Sequence, residues 1–157
     1  KSDQDALFEA MLDDTIDVIA TDHAPHTYDE KNNKYLEAPS GGPLVQHALG
    51  IMLRFVKNKK ISIEKVVEKM CHHPAICFNI YKRGLIKEDY YADLVLVDLK
   101  KEYQVTKQNI LSKCKWSPFE GETLQGKITH TIINGHIAYE NGVFDETKKG
   151  MRLVFER

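Results

Sequence analysis

Asp22, His23 and His26 stand together in the run Thr21-Asp22-His23-Ala24-Pro25-His26, directly after the apolar stretch Ile16-Asp17-Val18-Ile19-Ala20. A carboxylate at the end of a buried strand can ligate a metal ion and take a proton from a bound water. Nearby imidazoles could add ligands, hydrogen-bond donors or positive charge. A plainer reading competes, because Asp after a strand often caps a turn and a loop His is often merely solvated. For Asp22 alone that plainer reading leads. The six-residue unit on a strand end, with a long polar loop beyond it, moves the functional reading ahead. A metal pair of His23 and His26 is its weaker version, because no further ligand lies near them in sequence.

The elements around this run set its position. Ser2 or Asp3 can cap a helix that carries Ala6, Leu7, Ala10 and Met11 on one face. Ile16–Ala20 then reads as a buried strand. A helix followed by such a strand is the αβ half of a parallel α/β architecture, and in a parallel barrel the strand ends carry the catalytic groups. The polar stretch 21–42 is long for a loop, a length that marks function or disorder. Gly41-Gly42-Pro43 sets up the next helix start, with Leu44 to Val56 at helical spacing. Another helix follows Ser62, His72-His73-Pro74 is expected to break it, and Pro74 to open a short helix through Phe78. From Ala92 the pattern turns to β. Asp93 to Asp98 is a strand, Tyr103 to Thr106 a weaker one, and Lys127 to Asn134 alternates. Asn134-Gly135 marks a two-residue hairpin returning through His136–Tyr139, and Asn141-Gly142 repeats the device before Val143-Phe144. Met151 to Phe155 is a last strand or extended segment. Two regions result, 1–90 α/β and 91–157 β-rich.

Composition narrows the function class. Twenty-two basic and 23 acidic side chains leave a formal net charge of −1, which gives no nucleic-acid footprint and no attraction to acidic lipid. No apolar run approaches membrane-spanning length. Cys71, Cys77 and Cys114 are odd in number and match no zinc or disulfide spacing. They read as free thiols in a reducing cytoplasm.

The Thr21–His26 run resembles the element near the end of the barrel in dihydroorotases, and the likeness continues in order along the chain. Ala38-Pro39-Ser40-Gly41 resembles that family's substrate loop. His73-Pro74-Ala75 with Phe78 resembles its Asn-Pro-Ala-x-x-Phe pattern, with His in place of Asn. Ala92 to Asp98 is similar to the strand that opens the extra-barrel region of amidohydrolases. Ser117-Pro118-Phe119-Glu120-Gly121, Leu124, Gly126 and Asn134-Gly135 are similar to the closing pattern.

The resemblance implies the last strand and helices of a (β/α)8 metal-dependent hydrolase barrel over 1–90, and the C-terminal part of a β-sandwich extension over 91–157. It implies reversible cyclisation of N-carbamoyl-L-aspartate to dihydroorotate in de novo pyrimidine biosynthesis. Asp22 would be the metal-ligating carboxylate and proton-transfer group, His26 would bind the substrate carboxylate, and Ser40 with Gly41 would contact substrate through the loop backbone. The implied cofactor is one or two Zn2+. The implied partner is the small-molecule substrate, with a homodimer as an assembly it allows. The family's other ligands, a His-x-His pair, a carboxylated Lys and two further His, have no counterpart here. A whole barrel takes roughly 250 residues, so the chain is expected to be part of a longer enzyme and inactive alone. The competing readings are another cyclic amidohydrolase, a hydantoinase or allantoinase, and a non-catalytic amidohydrolase-like subunit.

The remaining conspicuous residues read more plainly. His72 and His73 suit a helix end, and His130 and His136 belong to strands near a hairpin. Trp116 and Phe119 pack under a loop, and Lys57, Lys59 and Lys60 form a solvated helix end. His47 stands where relatives often carry Glu, a change with no physical account.

Overall fold

A computed structural model describes residues 2–156. It is an α/β structure with element order α1 (Ser2–Leu12), α2 (Tyr28–Lys31), α3 (Ala48–Lys57), α4 (Ile63–Val67), a π-helical turn (Glu68–His72), α5 (His73–Cys77), β1 (Leu94–Gln104), a 3-10 turn (Lys107–Asn109), β2 (Thr123–Ile133), β3 (His136–Glu140) and β4 (Val143–Phe144). The strands form one sheet in the order β1-β2-β3-β4. Two compact units are drawn from interleaved stretches of chain: residues 1–19, 59–98 and 128–157 make one, and residues 20–58 and 99–127 the other.

In the first unit, α1 starts earlier than its sequence suggests. Ser2 and Asp3 lie within its first turn, where Asp3 and Asp5 favour the positive helix end. Of the expected apolar face Met11 is buried, while Leu7 is exposed.

Residues 16–20 do not form the expected buried strand. They follow a bend at Ile16, belong to no helix or strand, and are half-buried or exposed. A strand is a pairing, and this segment finds only scattered partners. The Ile19 N–H donates to the Lys69 carbonyl at 3.1 Å, and the Asp17 carbonyl accepts from His73 Nδ1 at 2.9 Å. Lys69, fully buried, donates to the Ile16 carbonyl and pairs with Asp14 at 2.8 Å. The segment is fastened to the π turn instead of to a sheet.

Ser62 caps α4 as its sequence suggests, its Oγ accepting from the Lys65 N–H at 3.1 Å. The break expected at His72-His73-Pro74 does not occur. Proline has no N–H and its ring collides with the carbonyl four residues back. Widening the preceding turn to π pitch, in which the His73 N–H reaches the Glu68 carbonyl, carries the helix past Pro74 into α5. Ala75 is buried where Gly84 (φ 83°) crosses it, and a Cβ on Gly84 would lie 2.4 Å from that of Ala75.

The hairpin β2–β3 turns on Asn134 (φ 50°) and Gly135 (φ 80°), the positive pair that a type I′ turn requires. The Asn134 N–H donates to Asp93 Oδ1 at 2.8 Å, and Asn134 Oδ1 accepts from Arg83 at 2.8 Å. Arg83 also pairs with Asp93. The Ala-Asp-Leu and Asn-Gly elements, far apart in sequence, are therefore one structural joint. Asn141-Gly142 turns β3 into β4, with Tyr139 opposite Phe144. The tail contributes an isolated bridge from Phe155 to Ile80.

In the second unit, Val105, Ile110 and Leu124 form the core, with Ile51, Tyr103 and Phe119 against it. Tyr103 and Gln104 are not part of a separate weaker strand but end the single long β1. Gly50 lets α3 approach this core, since a Cβ there would sit 3.2 Å from Leu124 Cβ. Helix α3 begins at Ala48, later than Pro43 suggests. The preceding turn is engaged by neighbours: Gln46 donates to the Asn109 carbonyl at 2.7 Å and accepts from the Leu111 N–H at 2.9 Å. His47 is buried edge-on to Phe119, and its burial pushes its pKa down.

Candidate functional site

Every residue singled out for chemistry, Asp22, His26, Ser40 and Gly41, lies in the second unit. Asp22 turns the chain with φ 44°, a conformation that Asp and Asn tolerate better than most residues. Its side chain is exposed and makes no hydrogen bond or ion pair among the described residues. It caps no turn by a side-chain bond, and it faces solvent.

The backbone beyond Asp22 is tied to the loop that ends at Gly42. His23 forms a parallel bridge with Gly42, and the Ala24 N–H donates to the Gly42 carbonyl at 3.1 Å. Gly41 (φ 82°) lies so near Ala24 that a Cβ on it would stand 2.6 Å from the alanine Cβ. The structure thus brings the Ser40-Gly41 segment beside the Asp22–Ala24 segment. His23 Nδ1 accepts from the Val45 N–H at 3.2 Å, which puts the proton of a neutral ring on Nε2 and gives this residue a structural bond.

His26 is held at its backbone. Its N–H donates to the Ala24 carbonyl at 2.9 Å, and its carbonyl accepts from Trp116 Nε1 at 2.7 Å. Trp116 therefore anchors the loop as well as packing under it. The His26 ring is partly exposed, with Nδ1 4.0 Å from Glu30 Oε2. Glu30 closes a capping box with Thr27 at the start of α2. The Thr27 hydroxyl, then its backbone N–H, hold the Glu30 carboxyl below the usual range, with a smaller contribution from His26.

At the other end of α2, Lys31 Nζ donates to the Pro39 carbonyl at 2.5 Å and the Gly41 carbonyl at 3.0 Å. Sequence reasoning missed Lys31 because its acceptors are backbone carbonyls, which no side-chain pattern marks. Ser40 is exposed beside it.

The arrangement offers a free carboxylate, an accessible imidazole and a glycine-bearing loop. It does not offer a metal site by itself. Among the described residues no three His, Cys, Asp or Glu side chains come together to hold an ion, and a zinc site takes three or four protein donors. Asp22 can supply one. No helix among the described residues is long and apolar enough to cross a membrane.

Known proteins share this arrangement of chain. A dihydroorotase of Clostridium acetobutylicum is 42% identical over 142 residues, covering 90% of this chain and 33% of its own length. The dihydroorotase of Bacillus subtilis is 40% identical over 141 residues, with 89% and 33% covered. Among solved structures, an L-hydantoinase from Arthrobacter aurescens superposes with a TM-score of 0.81 at 31% identity, covering 88% of this chain and 32% of that one. A D-hydantoinase superposes at 0.84 with 24% identity, covering 92% and 33%, a likeness of fold alone. The chain spans about a third of the length of the relatives it matches. The amidohydrolase family model matches residues 1–138, most of the 157, and the chain belongs to that family.

Proposed function

We propose that this chain is the C-terminal portion of a dihydroorotase, which reversibly cyclises N-carbamoyl-L-aspartate to dihydroorotate in cytoplasmic pyrimidine synthesis. The observation that carries the reading is the seating of Gly41 on Ala24, which joins the Ser40-Gly41 loop to a segment whose carboxylate, Asp22, is left unbonded. The identity of about 40% to dihydroorotases supports the same reading. Residues 1–90 would be the end of the barrel and 91–157 the extra-barrel region. The unpaired segment at 16–20 would become a paired strand beside barrel neighbours outside these 157 residues.

In the hydrolytic direction Asp22 would accept a proton from the attacking water and deliver it to the leaving ring nitrogen. His26 would hold the substrate carboxylate, and the exposed Ser40-Gly41 backbone would fix the ring. Asp22 would also be one ligand of a zinc site completed by residues outside this chain. A bound metal ion lowers the pKa of water and polarises a carbonyl. The partner is a small molecule.

A hydantoinase is the second reading, favoured by the superposition on the Arthrobacter L-hydantoinase at 31% identity. The test is hydrolysis by the full-length protein of dihydroorotate, which carries a carboxylate, against dihydrouracil and hydantoin, which do not. Preference for dihydroorotate is the expected result. Turnover of the neutral rings with none of dihydroorotate would sink the assignment.

A further inference from the structure

We propose that Lys31 is a positioning residue that holds the Pro39–Gly41 loop in the shape that meets substrate; this rests on the reading of that loop as a substrate contact. Carbonyl oxygens two residues apart on an extended strand stand about 7 Å from one another. Here both lie within 3.0 Å of one ammonium nitrogen, so the loop is curled around the Lys31 side chain. Two carbonyl dipoles aimed at one point repel each other, and a cation at that point reverses the sign of the interaction. The loop's shape therefore depends on this charge.

The same curl sets the donors. A trans peptide directs its N–H opposite to its C=O, so turning the Pro39 carbonyl onto Lys31 turns the Ser40 N–H away from it. Lys31 in turn is placed by α2, whose first turn is closed by the Thr27–Glu30 capping box. Four residues of helix thus connect the neighbourhood of His26, through Glu30, to the backbone of the Ser40-Gly41 loop, through Lys31.

The experiment is Lys31→Met in the full-length protein, read by steady-state kinetics with dihydroorotate and by amide hydrogen exchange at Ala24 and Ala38, whose N–H groups donate to the Gly42 and Lys34 carbonyls. Loss of two charge-assisted bonds should raise KM roughly tenfold or more. Because Lys31 touches no reacting atom, kcat should stay within about twofold. Exchange at these two bonded amides should accelerate by roughly tenfold or more. Lys31→Arg, which keeps a cation and donors, should recover most of the loss in KM. Unchanged exchange, unchanged KM, or a loss confined to kcat would overturn the role. If wild-type protein fails to turn over dihydroorotate, the functional reading fails, and the exchange measurement still decides whether Lys31 shapes the loop. If Lys31→Met does not fold, Lys31→Gln carries the same comparison, with the same results required.

Discussion

Gly41 rests on Ala24 with room for no side chain: a Cβ on the glycine would lie 2.6 Å from the alanine Cβ, and its φ is 82°. Contact and conformation both demand glycine here, so Gly41→Ala should lose stability twice over. The left-handed conformation alone costs a non-glycine residue about 1–2 kcal/mol. Denaturant unfolding of Gly41→Ala should show at least that loss, and kinetics of the full-length enzyme should show a raised KM. A variant as stable as wild type would mean that the loop is free to move off Ala24.

Asp22 bonds to nothing in the described chain, so removing its charge should leave folding untouched and abolish chemistry. Asparagine tolerates the same positive φ, which makes Asp22→Asn the cleaner variant. Loss of a general acid–base group costs roughly 10²–10⁴-fold in kcat. Circular dichroism should remain that of wild type. Near-normal turnover would remove Asp22 from the mechanism.

His26→Ala should act on binding, since its ring is accessible while its backbone is what Trp116 and Ala24 hold. The expected result is a rise in KM for dihydroorotate of roughly tenfold or more, the loss of a charge-assisted contact. Competition by a neutral ring analogue should be unaffected. A purely kcat effect would assign His26 to chemistry.

Stability should depend on Asp14 in acid. Hydrogen bonds from Lys65, then Lys69, lower its pKa from 3.8 to about 2. A depressed carboxylate pKa stabilises the fold above the unfolded value and loses that contribution as pH falls from about 4 through about 2. Melting temperatures of wild type and Asp14→Asn should differ at neutral pH and converge toward pH 2. A gap that stays constant over that range would show that the Lys65 and Lys69 contacts do not depend on the Asp14 charge.

Much of this molecule could be read without coordinates wherever the determining physics is local. The Asn134-Gly135 hairpin followed from two residues that accept positive φ, and the start of α4 from a serine able to reach a backbone N–H three residues on. The order of the quoted motifs likewise identified the family. Other features were decided by partners distant in sequence. Residues 16–20 have the composition of a strand, but their backbone groups meet Lys69 and His73 in place of a ladder. Pro74 ends a helix by its own chemistry, yet a π turn five residues wide relieved it. Lys31 looks like any surface lysine until two carbonyls eight and ten residues away are found to point at it. Propensity and capping act through neighbours along the chain and can be read from letters. Hydrogen bonds to backbone carbonyls across a loop depend on where the chain passes in space, and only the fold determines that.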